Sequence, residues 1–144
     1  PTELFDEDGE KMRQIGMEFG ATTGRPRRCG WLDMVALRYS VMMNGVTELI
    51  MMKSDVLNDF EKLKVAVAYK IGDKEVTEFP YEVNEEVVPV YKEFEGWNCN
   101  INGVREYDRF PTELKNYIEF IEEQTGVPVK IISVGPDREE TVIR

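Results

Sequence analysis

Two short apolar runs constrain this chain most. Thr47–Met52 is almost continuously apolar, with Glu48 the exception, and Val127–Val134 is a second run, ended by Gly135-Pro136. Runs of this length favour strands over helices, and an unbroken apolar run suits a strand buried on both faces of a parallel sheet. Helical patterns alternate with them. Met12, Ile15 and Phe19 share one face of a helix expected from Asp8 to Phe19 and closed by Gly20. Leu32, Val35, Ala36, Tyr39, Met42 and Met43 recur at three- and four-residue spacing up to Asn44-Gly45, and the methionines read as core filling. Leu114, Tyr117, Ile118 and Ile121 form the apolar face of a helix from Asp108 to Gly126, with Pro111 near its start.

The remaining segments read as strands. Leu63, Val65, Val67, Tyr69 and Ile71 alternate on one side, Gly72-Asp73 signals a turn, and Lys74–Phe79 returns as a β-hairpin. Pro89–Phe94 and Glu140–Ile143 complete the set. Without an internal repeat or linker, residues 1–144 are predicted to form a single α/β unit. Its expected architecture is a mostly parallel central sheet flanked by helices, with a hairpin excursion. The chain opens at Pro1 rather than Met, so a piece of a longer protein is expected.

Charge narrows the chemistry. The formal charge is −10, which opposes broad binding of nucleic acid or a membrane surface. No apolar run approaches the ~20 residues needed to span a bilayer. Cys29 and Cys99 read as two free thiols, so a cytoplasmic protein is expected. The chain has no histidine, which removes His-based proton transfer and His-ligated zinc. No pair of acids has spacing that singles out a catalytic pair or a metal site. Glu85-Glu86 and Glu122-Glu123 read as solvated acids, and Gly96-Trp97 as a turn with a packed aromatic. Within the acidic chain, Gly20–Ser40 holds Arg25, Arg27, Arg28 and Arg38 against Asp33, a net +3, leaving −13 elsewhere.

Three segments could carry chemistry. The loop Gly20-Ala21-Thr22-Thr23-Gly24-Arg25-Pro26-Arg27-Arg28-Cys29-Gly30-Trp31 combines glycines, two hydroxyls and planar guanidinium forks ahead of a helix. That combination favours an anion. Lys53-Ser54-Asp55 follows the first apolar run, at the strand end where open α/β sheets bind ligands. Asp55 there can accept from the N1–H and 2-amino groups of guanine, donors that adenine lacks, and the Lys53 stem can cover the base. Ser133-Val134-Gly135-Pro136 ends the second run. If both strands share one parallel sheet, it opens on the same edge and can complete a base pocket. A solvated loop, a surface charge pair and an ordinary turn are the plainer readings of the three. No Gly-X4-Gly-Lys-Ser/Thr phosphate loop is present.

These residues together resemble the adenylosuccinate synthetase family. The signature runs from Thr22 to Asp33. Pro1-Thr2-Glu3-Leu4, Lys53-X-Asp55-Val56-Leu57, Val67-Ala68-Tyr69, Pro89-Val90-Tyr91, Gly96-Trp97, Tyr117-Ile118 and Ser133-X-Gly135-Pro136-Asp137-Arg138 follow in family order. Met52 departs from the threonine often found before the Lys-X-Asp motif. The resemblance implies a ligase of purine nucleotide (AMP) biosynthesis that joins IMP and L-aspartate, using GTP and Mg2+. It implies a P-loop-NTPase-like fold whose phosphate loop lies outside this chain, which would be the C-terminal third. By carry-over, Ala21, Thr22, Thr23, Gly24, Arg25, Pro26 and Arg27 would close over aspartate. Arg25 would also touch IMP. Arg27, Lys53, Ser54, Asp55, Ser133, Val134, Gly135 and Pro136 would hold GTP. The catalytic base and acid would lie upstream, no metal ligand falls in this chain, and the isolated chain is expected to be inactive. A homodimer is implied for the full-length enzyme. The alternative is a non-catalytic module that binds guanine nucleotides.

Overall fold

The computed structural model describes residues 1–144, and its elements follow the sequence closely in the middle and less so at the start. Helix α1 spans Glu7–Ile15, β1 Leu32–Asp33, α2 Met34–Asn44, β2 Leu49–Met51, β3 Lys62–Ile71 and β4 Lys74–Val76. Then come β5 (Val87–Glu95), α3 (Thr112–Thr125), β6 (Val129–Ser133) and β7 (Thr141–Ile143).

The strands form two sheets, not one. In the first, β3 is central: β1 pairs with it in parallel, and β4 and β5 pair with it antiparallel. In the second the order is β2-β6-β7, with β2 parallel and β7 antiparallel to β6. The expected mostly parallel sheet is therefore corrected to two small mixed sheets. The cause is local. Gly72, at φ +59°, turns β3 back onto β4, and the short return from Ser133 turns β7 back onto β6.

Helix α3 packs against β5 of the first sheet and β6 of the second, and joins the two. Pro111 precedes it as the cap residue, and Gly126 at φ +72° ends it in the left-handed region. Leu114, Tyr117, Ile118 and Ile121 are all buried, as the periodicity predicts, and Phe120 joins them. They meet Leu63, Val65, Trp97, Val129 and Ile132 in the main core. Each fully buried aliphatic side chain there contributes about 1.5–3 kcal/mol. No helix is long and apolar enough to cross a membrane.

Several local expectations change. The first helix stops at Ile15, capped by Gly16, because Met17 enters the left-handed region at φ +51°. Phe19 leaves the helix and bridges to Pro26, and Gly20 belongs to the following loop. In α2, Gly45 closes the helix as expected, but Tyr39, Met42 and Met43 are exposed; Met12 and Met34 do fill the core, while Met42 and Met43 do not. β2 is an edge strand, and Ile50 and Met52 are 58% and 65% exposed, so burial on both faces holds only for part of this pair. In β3 the alternation gives way to burial on both faces, since Ala66 and Ala68 are buried beside Leu63, Val65 and Tyr69. Glu122 is not a solvated acid. Its carboxylate accepts from the Val129 amide at 2.7 Å and from Arg144 at 2.6 Å.

Candidate functional site

The parallel pairing of β2 and β6 sets Met51 opposite Ile132, so both strands release their carboxyl ends at one edge of the sheet. Lys53-Ser54-Asp55 emerges from one and Ser133-Val134-Gly135-Pro136 from the other. The chain turns sharply at Lys53, which sits in the left-handed region at φ +59°, and enters a single 3-10 turn over Ser54–Leu57. That conformation costs a non-glycine residue of order 1 kcal/mol and is held by its surroundings.

The edge contains unsatisfied chemistry. Ser54 is 2% exposed, yet its hydroxyl oxygen has no hydrogen-bond partner, and neither has the buried Oδ1 of Asp55. An unpaired buried polar atom costs about 1–3 kcal/mol, and the Tyr107 hydroxyl is the third such atom in the chain. The facing turn is already braced. The Ser133 hydroxyl donates to the Gly135 carbonyl at 2.9 Å, and the Val134 amide donates to the Glu140 carbonyl at 2.9 Å. The Glu140 carboxylate accepts from the Asp137 amide at 3.0 Å. A side chain at Gly135 would run into that carboxylate. Pro136 is exposed, its ring open to stacking.

The arginine loop is a small hairpin on a narrow neck. Phe19 bridges to Pro26, the Arg27 amide donates to the Glu18 carbonyl at 2.9 Å, and the Gly20 amide donates to the Arg25 carbonyl at 2.8 Å. Gly24 turns the tip at φ +65°, a conformation that favours glycine. Ala21 through Arg28 are all exposed, and the Thr23 hydroxyl accepts from the Arg25 amide at 3.3 Å. Arg25 makes no ion pair. Arg28 reaches Glu3 at 3.6 Å. Arg38 belongs elsewhere. It donates to the carbonyls of Val67 and Thr77 and to the Gln124 side chain, which leaves Arg25, Arg27 and Arg28 as the exposed part of the basic island.

Glu18 joins the two halves. Its Oε2 accepts from Arg27 at 3.0 Å, and its Oε1 accepts from the Lys53 ammonium, which also donates to the Gly16 carbonyl at 2.8 Å. Arg13 adds a bond from Nε to the Arg27 carbonyl at 2.9 Å. The hydrogen bond from Lys53, aided by Arg27, holds the Glu18 carboxyl below its ordinary value. Neither Glu18 nor Arg13 lies in a motif. The only available sequence signal was an acid flanking the arginine loop. Beside them a cavity of about 320 Å3 is lined by Glu18, Arg28, Cys29, Lys53, Val56 and Leu57, among others. Burial raises the Cys29 thiol pKa, and both cysteines are unpaired.

A family model described as adenylosuccinate synthetase matches residues 1–142. The chain belongs to the adenylosuccinate synthetase family. It is 59% identical over 144 residues to the adenylosuccinate synthetase of Parabacteroides distasonis, covering all of this chain and 34% of that protein. The Flavobacterium johnsoniae adenylosuccinate synthetase is 57% identical over 145 residues, again 34% of its length. A solved structure of fully ligated adenylosuccinate synthetase from Plasmodium falciparum superposes with a TM-score of 0.94 at 36% identity, covering 99% of this chain and 35% of that one. The chain thus has the mixed α/β fold of this part of an adenylosuccinate synthetase. It spans about a third of the length of the curated relatives it matches, and that share sets its extent, not its position within them.

Proposed function

We propose that this chain supplies the guanine pocket and the aspartate-closing loop of a GTP-dependent ligase that forms adenylosuccinate from IMP and L-aspartate. The observation that carries this reading is the partnerless buried pair, Ser54 Oγ and Asp55 Oδ1, at the edge where Ser133–Pro136 arrives. Asp55 presents acceptors only, which suits the paired N1–H and 2-amino donors of guanine. The Lys53 stem and the Pro136 ring cover the base, and Ser133, Val134 and Gly135 border it. Ala21 to Arg27 fold over aspartate, with Thr23, Arg25 and Arg27 on its carboxylates. Arg25 also reaches IMP, and Arg27 also reaches GTP. Multiple guanidinium groups neutralise the charge gathered there when three anionic substrates meet.

In this reaction the IMP 6-oxygen takes the γ-phosphoryl group of GTP, releasing GDP, and the aspartate amine then attacks purine C6 as the C6–O bond breaks and phosphate leaves. This chain positions and neutralises the reactants. Proton transfer and the phosphate loop are left to the rest of a homodimeric, cytoplasmic parent enzyme. No group of three or more His, Cys, Asp or Glu side chains gathers here, and no step is assigned to the metal.

Phosphate release from the full-length parent should require GTP, IMP and aspartate together, while the isolated 144 residues should stay at background. Clear turnover by the isolated chain would overturn the assignment of proton transfer elsewhere. A second reading, a guanine-nucleotide module without turnover, draws on the completeness of the Lys53–Asp55 and Ser133–Pro136 edge within these residues. It predicts GDP binding by the isolated chain that is lost in Asp55→Asn.

A further inference from the structure

Glu18 has a place in the site that no motif announces. Its carboxylate contacts two cations, and each comes from a different binding segment. Arg27 lies at the neck of the arginine loop, and Lys53 begins the guanine-facing turn. The geometry around it is restrained. The backbone of Glu18 is tied to the backbone of Arg27 at 2.9 Å, and the Arg27 carbonyl is held by Arg13. Lys53 donates to the Gly16 carbonyl from a left-handed turn, but its side chain is 50% exposed and keeps freedom to move. Glu18 is 23% exposed and its cations Arg27 and Lys53 are 59% and 50% exposed, so both pairs stay in reach of solvent and salt.

We propose that Glu18 is a positioning residue that couples guanine-nucleotide binding to the arginine loop. This rests on the ligase reading above. The Lys53 stem covers the base while its ammonium stays on Glu18. A bound base therefore narrows the positions open to Lys53, which fixes the carboxylate, and the carboxylate fixes the Arg27 guanidinium at the loop neck. Aspartate then meets a loop with less freedom left to lose. A carboxylate has an oxygen for each cation and a charge shared by both. A glutamine could keep one hydrogen bond but would lose the charge that holds the two together.

The coupling is read in the full-length enzyme as the ratio of aspartate KM at low and at saturating GTP. In the unaltered enzyme aspartate KM should fall about fivefold or more as GTP saturates, within the usual range of coupling between sites. In Glu18→Gln the ratio should fall to within about twofold of one, with kcat at saturating substrates reduced much less than the ratio. Glu18→Asp keeps the charge but is one methylene too short to reach both cations. It should lose most of the coupling too, and it serves if the glutamine variant does not fold. A purely structural role would lower thermal stability and leave the ratio alone. An unaltered ratio in either variant, or no ratio in the unaltered enzyme, overturns the coupling. Absence of GTP-, IMP- and aspartate-dependent turnover in the unaltered enzyme overturns the ligase reading, and the coupling with it.

Discussion

Glu18 also titrates in a useful place. The Lys53 ammonium, with Arg27, holds its carboxyl below the ordinary 4.5. A group whose pKa is lower folded than unfolded stabilises the fold above the unfolded value and loses that contribution as pH falls through the folded one. Urea unfolding compared at about pH 6 and about pH 3.5 should therefore show a stability loss that is smaller in Glu18→Gln. An identical loss in both proteins would place the acid-sensitive contacts elsewhere. Asp55 differs in kind. It has a buried oxygen without a partner, and the proposed reading gives that oxygen a donor from guanine. The two acids were not equally legible. Asp55 stood in a recognisable Lys-X-Asp after an apolar strand. Glu18 stood alone, and its role depends on a hairpin neck that periodicity cannot predict, because one left-handed residue, Met17, redirected the chain.

At the scale of elements, the parallel β2–β6 pair does most to make the site, and it was legible because two apolar runs had the length and composition of strands. Helix α3 was equally clear, since its four apolar positions, Pro111 and Gly126 all agree. The sheets were misread because parallel runs say nothing about which hairpins cap them. Arg38 shows the same limit. Sequence charge placed it in the basic island, whereas it ties α2 to the hairpin through the Val67 and Thr77 carbonyls and to α3 through Gln124. Arg38→Met should remove three hydrogen bonds and cost about 1–3 kcal/mol of stability, in view of partial exposure. Chemical denaturation of the full-length enzyme would measure it, and KM for GTP should move less than twofold, on the order of experimental scatter. A large rise in that KM would return Arg38 to the binding surface.

Across the whole molecule, several large apolar residues lie on the surface. Met42, Met43, Ile50 and Met52 are 58% exposed or more, and β2 is an open edge. The same chain covers only 34% of the relatives it matches. On the proposed reading, an apolar edge beside the Lys53–Asp55 turn suits a unit that works within a larger enzyme, and the +3 loop in a −10 chain is its proposed anion site. The central claim is that Asp55 selects the guanine base. Asp55→Asn in the full-length enzyme, with kcat/KM compared for GTP and for the xanthine nucleotide XTP, tests it most directly. Guanine presents two donors to a carboxylate, whereas xanthine presents one donor and one acceptor, which suit an amide. Asp55→Asn should lose about 100-fold or more with GTP, as expected for two charge-assisted bonds, and gain with XTP. GTP use unchanged within about twofold, with no gain for XTP, would contradict it.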